Sequence, residues 1–360
     1  MAIDSVPDGS TLILEPGHHS SPEPFCIIDG KSLTILGREL HENPSSARIK
    51  VRNLGADQQV SLRGVLSYDA PGGLTGRAVL HAENCLGSLM VEDCDFRGTG
   101  GMSWEASSAL IFEDVALSQF VRCSFSSGTS YSGSAGASAW FMGGSSAAIY
   151  DSDFRGRCGY VSGYCSNCTS GLVVGTGASV WTFGGAAKGS WCNSFGPVSS
   201  AGISVHTGAS LTLRGTEAEA GVVPGGTAPD VDVEAGGTFT EWTSITERSL
   251  VTAHLVDAGA PIPFVASGEP GDVLLLYLDF EIGLLELPEL SSLIGLQSPI
   301  FLFGPTLLDA TGNLSLSMPA PGLPAGESLS AVIQGLYLPT SPGANPAAIL
   351  GNPSRITAQG

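Results

Sequence analysis

Few side chains in this sequence can move a proton, and the best placed of them stand in a repeated phrase. Val91-Glu-Asp-Cys94-Asp-Phe96 returns as Phe120-Val-Arg-Cys123-Ser-Phe125 and as Ile149-Tyr-Asp-Ser152-Asp-Phe154, with 29 residues from Cys94 to Cys123 and 29 from Cys123 to Ser152. One slot of the phrase holds Asp93, Arg122 and Asp151, and another holds Asp95, Ser124 and Asp153. Two carboxylates across a scissile bond can act as general acid and as base for water, and a guanidinium between two acids lowers their pKa values. The same alternation of sign is also what a stacked ladder needs to avoid like charges side by side. The ladder is the account the spacing favours, because nothing in the phrase puts an acid in apolar surroundings. His18-His19 after Glu15 would suit a metal ion only if adjacent side chains faced the same way, and in a strand they do not. No metal site is expected, and no phosphate-binding loop, dinucleotide fingerprint or Ser-His-Asp arrangement is present.

A repeat of this length is one supersecondary unit that buries its apolar side only by stacking on its neighbours. Val91, Cys94 and Phe96 are expected to point inward and Asp93 and Asp95 outward, with Asp93 at a bend that favours a residue tolerating left-handed backbone. A second phrase supports the same unit: Thr176-Gly-Ala-Ser179 and Thr207-Gly-Ala-Ser210 lie 31 residues apart, with a looser copy at Glu234-Ala-Gly-Gly-Thr-Phe239. Parallel strands joined by crossovers are overwhelmingly right-handed. The expected fold is therefore all-β: a right-handed parallel β-helix over residues 1–247, then a small antiparallel β-sandwich over 248–360. Two coils separate Asp95 from Asp153, roughly 9.6 Å at the usual strand spacing, near the upper end of the range for an inverting carboxylate pair.

Long Gly/Ser-rich segments interrupt the coils at one turn: 98–108, 126–138, 156–171 and 184–202. They carry Trp104, Tyr131, Tyr160, Tyr164 and Trp191, and Trp140 lies on the strand that follows one of them. These aromatics either pack the loops on themselves or present a surface on which sugar rings stack. Cys158, Cys165, Cys168 and Cys192 fall in the same loops, which suggests disulfides and an oxidising compartment. Cys165-Ser-Asn-Cys168 has metal-ligand spacing, and free thiols are the third possibility. Cys26, Cys85, Cys94 and Cys123 sit among apolar residues and read as small core residues.

The net charge of −19, from 34 acids and 15 bases, disfavours nucleic acid and anionic membrane surfaces as partners. The most apolar stretch, 273–296, is broken by Asp279, Glu281, Glu286 and Glu289, so no membrane span is expected. Met1-Ala2 leads almost directly into structured sequence, so no signal peptide is expected in this sequence, and an export signal removed before Met1 is the alternative. Residues 249–360 hold one base, Arg355, and alternate short apolar runs with turns, as a sandwich does.

The phrase Asp8-Gly-Ser-Thr-Leu-Ile-Leu-Glu-Pro-Gly17, followed by Ile28-Asp-Gly-Lys31-Ser-Leu-Thr-Ile-Leu-Gly37, resembles the first coils of the pectate-lyase-like β-helix superfamily. The resemblance covers roughly residues 3–245, with Ala2–Val6 as all that remains of that superfamily's capping helix. It implies a fold and leaves activity open, since lyases, hydrolases, epimerases, adhesins and tailspikes share it. A lyase of this kind would use calcium; otherwise no cofactor is implied. Arg48-Ile-Lys50 matches the Arg-x-Lys of polygalacturonases but lacks their acidic pair. The superfamily's cleft strand would carry Glu113 and His206 as its titratable groups. The run Asp309-Ala-Thr-Gly-Asn-Leu-Ser-Leu-Ser-Met-Pro resembles a C-terminal module of secreted planctomycete-type bacterial proteins and implies export. The expected role is that of a secreted or cell-surface bacterial protein, non-enzymatic, with a structural, adhesive or glycan-binding surface. A polysaccharide lyase or hydrolase acting on an acidic polysaccharide is the alternative, and a subunit assembling into a homo-oligomer or filament is a further one.

Overall fold

The repeated phrase places the same side chain at the same point of every coil, and stacking then follows from burial. The computed structural model describes residues 2–15, 25–37, 44–45, 48–68, 78–98, 107–129, 135–161, 164–192, 198–223, 226–242, 245–287, 292–340 and 348–360. They divide into two compact units, Met1–Glu241 and Trp242–Gly360.

The first unit is a parallel β-solenoid with three faces. The first face stacks Phe25–Asp29, Arg48–Arg52, the starts of Leu80–Glu92 and Leu110–Val121, Ala139–Met142, Leu172–Val174, Ile203–Val205 and Val231–Val233. The second stacks Ser10–Leu14, Leu33–Gly37, Gln59–Arg63, the ends of the same two long strands, Ser146–Tyr150, Ser179–Phe183, Ser210–Arg214 and Thr238–Glu241. The third is a seven-stranded sheet that includes Asp95–Arg97, Ser124–Ser126, Asp153–Arg155, Ala186–Lys188 and Glu217–Glu219. The short helix Ala2–Ser5 precedes them. In two coils one long strand runs through both of the first two faces, where the neighbouring coils use two short strands. Asn84 and Asp114, both at positive φ, turn those strands without breaking them.

The corner between the second and third faces is the repeated phrase itself. Gly64, Asp93, Arg122, Asp151, Gly184 and Gly215 all have φ between 47° and 67° there. Their amides continue the ladder, as in Asp93 N–H to Val121 O (2.9 Å) and Arg122 N–H to Tyr150 O (2.9 Å). Just past the corner, Cys94, Cys123 and Ser152 point inward, and each satisfies backbone groups that the bend would leave bare. Ser152 Oγ accepts from Cys123 N–H (3.0 Å) and donates to Tyr150 O (2.9 Å). Phe96, Phe125 and Phe154 follow, buried and stacked, with centroids 5.7 and 5.0 Å apart and planes within 8° of parallel. Fully burying such a ring is worth about 2–3 kcal/mol, with stacking adding about 1.

The second unit has its own core, in which Leu250, Phe264 and Ala266 of one sheet meet Leu274, Leu276, Ile333 and Ile356 of another. Ser249–Thr252, Pro261–Ser267 and Asn313–Pro319 form the first sheet. Leu255–Asp257, Ile349–Gln359, Ser328–Leu338, Val273–Asp279 and Ile300–Leu307 form the second. Pairing is antiparallel except between Leu255–Asp257 and Ile349–Gln359.

Candidate functional site

The five candidate acid/base residues fall into two groups. Asp93, Arg122 and Asp151 occupy the positive-φ corner, whereas Asp95 and Asp153 stand on the third face in register with Ser124. At the corner, Arg122 spans two carboxylates. Its Nε donates to Asp93 Oδ1 (2.7 Å), and its Nη2 donates to Asp93 Oδ2 (2.8 Å) and Glu92 Oε1 (2.6 Å). Arg63, fully buried in the preceding coil, reaches Glu92 Oε1 at 3.2 Å and Asp93 Oδ2 at 3.9 Å. Burial works against the charge of Arg122, but the hydrogen bond and charge of Asp93 and the charge of Glu92 outweigh it, and its pKa is raised. For Arg63 burial wins and the pKa is lowered, with Glu92 and Asp93 opposing. A carboxylate with 1 % of its surface accessible, as in Glu92, is costly to bury without such partners. The motif is a clamp on the corner. Further along the same column Phe183 stacks on Tyr150 (5.0 Å), and the Arg214 guanidinium lies 4.7 Å over Phe183.

The outward side of the third face is solvent-accessible and carries two columns. Asp95, Ser124, Asp153, Ala186 and Glu217 form one; Arg97, Ser126, Arg155, Lys188 and Glu219 form the other. Arg97 pairs with Asp95 through Nε (3.0 Å) and Nη2. Lys188 Nζ donates to Glu219 (2.6 Å), which raises its pKa, with Glu217 at 4.0 Å adding to the effect. Asp153 has neither a side-chain hydrogen bond nor an ion pair among the described residues.

On the first face, Trp140 stands between Ile111 and Val173 in register, 37 % exposed. Gly175 leaves room for its indole: a Cβ there would lie 3.0 Å from Trp140 Nε1. Tyr160 and Tyr164 belong to the strands of the hairpin Cys158–Val161/Tyr164–Cys168, and Trp191 belongs to the short strand Trp191–Cys192. Trp104, Tyr131 and the His18-His19 pair lie outside the described residues. Both side chains of the Arg-x-Lys match are engaged by neighbours: Arg48 is buried with its guanidinium 5.7 Å over the Phe25 ring, and Lys50 pairs with Glu83 (2.8 Å). His206 Nδ1 meets Glu234 at 3.1 Å, and Glu113 is exposed.

Of the loop cysteines, Cys158 and Cys168 form a disulfide and are also paired across the hairpin. Cys85, Cys94 and Cys123 are buried free thiols, and Cys26 is partly buried against the same core. Burial pushes the thiol of Cys26 up to about 11 and raises those of Cys85 and Cys94 as well. Among the described residues no group of three or more His, Cys, Asp or Glu is placed to hold a metal ion, and no helix is long and apolar enough to cross a membrane.

One loop segment is shorter than the sequence suggests. Ala186–Lys188, inside the stretch read as loop 184–202, is a strand of the third face. Two alanines and a lysine give too little apolar signal to read as a strand, and stacking on Asp153–Arg155 supplies the missing preference. Arg155, Arg157 and Lys188, none of them among the candidates the sequence offers, line a cavity of about 310 Å³ beside the disulfide with Thr129, Cys158 and Ser190. The signal was present: Asp95-Phe-Arg97 and Asp153-Phe-Arg155 extend the repeated phrase by one basic residue.

No known family model matches the chain, and no curated protein matches it either.

Proposed function

We propose that this is an exported, non-catalytic β-helix protein that binds glycans on its solenoid surface. The observation that carries the reading is Trp140, an indole left accessible on the first face of a rigid sheet and flanked by the apolar Ile111 and Val173. Aromatic faces held on rigid elements are how proteins dock sugar rings with little loss of conformational entropy. The corner carboxylates support the non-catalytic part. A general acid or base must release or take up a proton, whereas Asp93 has both oxygens engaged by Arg122. The Cys158–Cys168 bridge supports an oxidising compartment. The resemblance of residues 3–245 to the pectate-lyase-like superfamily, which includes adhesins, agrees with both.

A glycan array probed with purified protein tests the reading. Binding is expected, and Trp140→Ala should weaken the strongest hit about tenfold. Full binding by that variant would overturn the assignment of the first face.

Two other readings each have one observation in their favour. Asp153, outward-facing and without a side-chain partner among the described residues, favours a hydrolase or lyase. The last solenoid strand Thr238–Glu241, paired among the described residues with Ser210–Arg214 alone and bearing exposed Phe239, favours assembly by strand addition between chains.

A further inference from the structure

In the described part of the solenoid every basic side chain except two has a partner. Lys31 donates to the carbonyls of Ile3 and Val6, and Arg48 and Arg214 lie over aromatic rings. Lys50, Arg52, Arg63, Arg97, Arg122 and Lys188 are ion-paired. The exceptions are Arg155 and Arg157, whose guanidinium groups have neither hydrogen bond nor ion pair among the described residues.

Both arginines line the same cavity of about 310 Å³, within the roughly 300–1,000 Å³ range of small-ligand sites. Lys188 lines it too, one coil from Arg155 in register. Glu219 occupies one of the three ammonium protons of Lys188, leaving the others for a further acceptor. The backbone that carries Arg157 is pinned: Thr169 N–H donates to Arg157 O (3.1 Å), Thr169 Oγ1 donates to the same oxygen (3.0 Å), and the disulfide follows at the next residue. The frame is therefore rigid, and the cationic groups on it are available.

We propose that this cavity is a binding site for a tetrahedral oxyanion ester, the sulfate or phosphate group of a substituted glycan. Three cations on separate backbone positions match an anion with three terminal oxygens better than a planar carboxylate with two, which one arginine fork can satisfy alone. The site lies on the third face and in the turn after it, away from the Trp140 face, and it deepens the glycan-binding reading by naming the substituent recognised. Because the protein carries −19 overall, long-range attraction does not explain capture of a polyanion, and binding has to come from this local cluster.

Calorimetric titration with dextran sulfate, phosphorylated dextran, polygalacturonate and unmodified dextran at moderate salt tests the site. Dextran sulfate or phosphorylated dextran should bind, and the tighter of the two identifies the ester. Unmodified dextran should not bind at this site, and polygalacturonate should be weaker by about tenfold or more. The double variant Arg155→Ala/Arg157→Ala, both positions being exposed, should keep its melting temperature and lose about tenfold or more in affinity. Lys188→Gln should lose less. Arg97→Ala, which removes a paired cation from the same face, should bind as the parent does. Equal loss in Arg97→Ala, or equal binding of polygalacturonate, overturns the site as drawn. Absence of ester binding beside intact Trp140-dependent glycan binding overturns the site alone, and loss of both overturns the wider reading with it.

Discussion

The corner and the third face of the solenoid are built from the same coils, yet they use charge in opposite ways. At the corner, Arg63, Glu92, Asp93 and Arg122 share their charges across three successive coils, and Glu92 and Arg63 are buried. A few residues further along, Arg155 and Arg157 line a cavity with no counter-charge of their own among the described residues. Removing one partner of a buried network leaves an uncompensated charge, whereas removing an exposed unpaired cation leaves nothing behind. The corner is thus a structural use of charge and the third face an available one.

Substitutions should separate the two. The largest loss is expected from Phe125→Ala, which removes the middle ring of the stack between Phe96 and Phe154 and should cost about 4 kcal/mol in a denaturant titration. Arg122→Ala should cost about 3 kcal/mol, because Asp93 and the buried Glu92 then lose the cation nearest to them; a cost near zero would make the corner network ornamental. Native protein should leave Cys85, Cys94 and Cys123 unmodified by a thiol reagent at neutral pH, since they are buried and burial raises the pKa of Cys85 and Cys94; unfolding should release all of them. A smaller effect is expected with acid. The hydrogen bond from Asn53, opposed by a little burial and aided by Arg52, holds the Asp29 carboxyl below its usual range. Burial opposes but the Lys50 hydrogen bond and charge outweigh it at Glu83, whose pKa is likewise lowered. A folded pKa below the unfolded one contributes stability above the unfolded value and loses it as pH falls through the folded one. Stability should therefore hold above about pH 5 and decline below about pH 4, and Lys50→Ala should blunt that decline. The smallest effect, within about 0.5 kcal/mol, is expected for Arg155→Ala; a cost like that of Arg122→Ala would erase the distinction between the two regions.

How much was legible in the sequence follows the same division. The phrase around Cys94, Cys123 and Ser152 repeats because each coil needs the same bend, so the inward columns, the left-handed corner and the Phe stack could all be read from spacing. The second unit has no repeat to read. Its strand Ile349–Gln359 contains Gly351-Asn352-Pro353, which looks like a turn, yet it lies inside a sheet. Pro353 is tolerated beside the register shift opposite Gln334 and Leu336, where one ladder hydrogen bond is already missing. Asn352 joins Leu250 by accepting from its N–H (2.8 Å) and donating to its carbonyl (3.2 Å), a long-range pair that no local pattern announces. The ion clamp was half visible: Asp93 and Arg122 share a repeat slot, but Arg63 and Glu92 occupy a column that elsewhere holds Val121 and Tyr150. The cavity was hidden because Arg157 and Lys188 come from different coils and meet only through the fold.

The most direct test of the account is to incubate one purified sample with a polysaccharide panel that includes polyuronates and sulfated glycans, with and without calcium, following binding, unsaturated products and new reducing ends together. The account predicts binding that leaves the polymer intact. Turnover that disappears in Asp153→Asn would contradict it and make the third face a catalytic one.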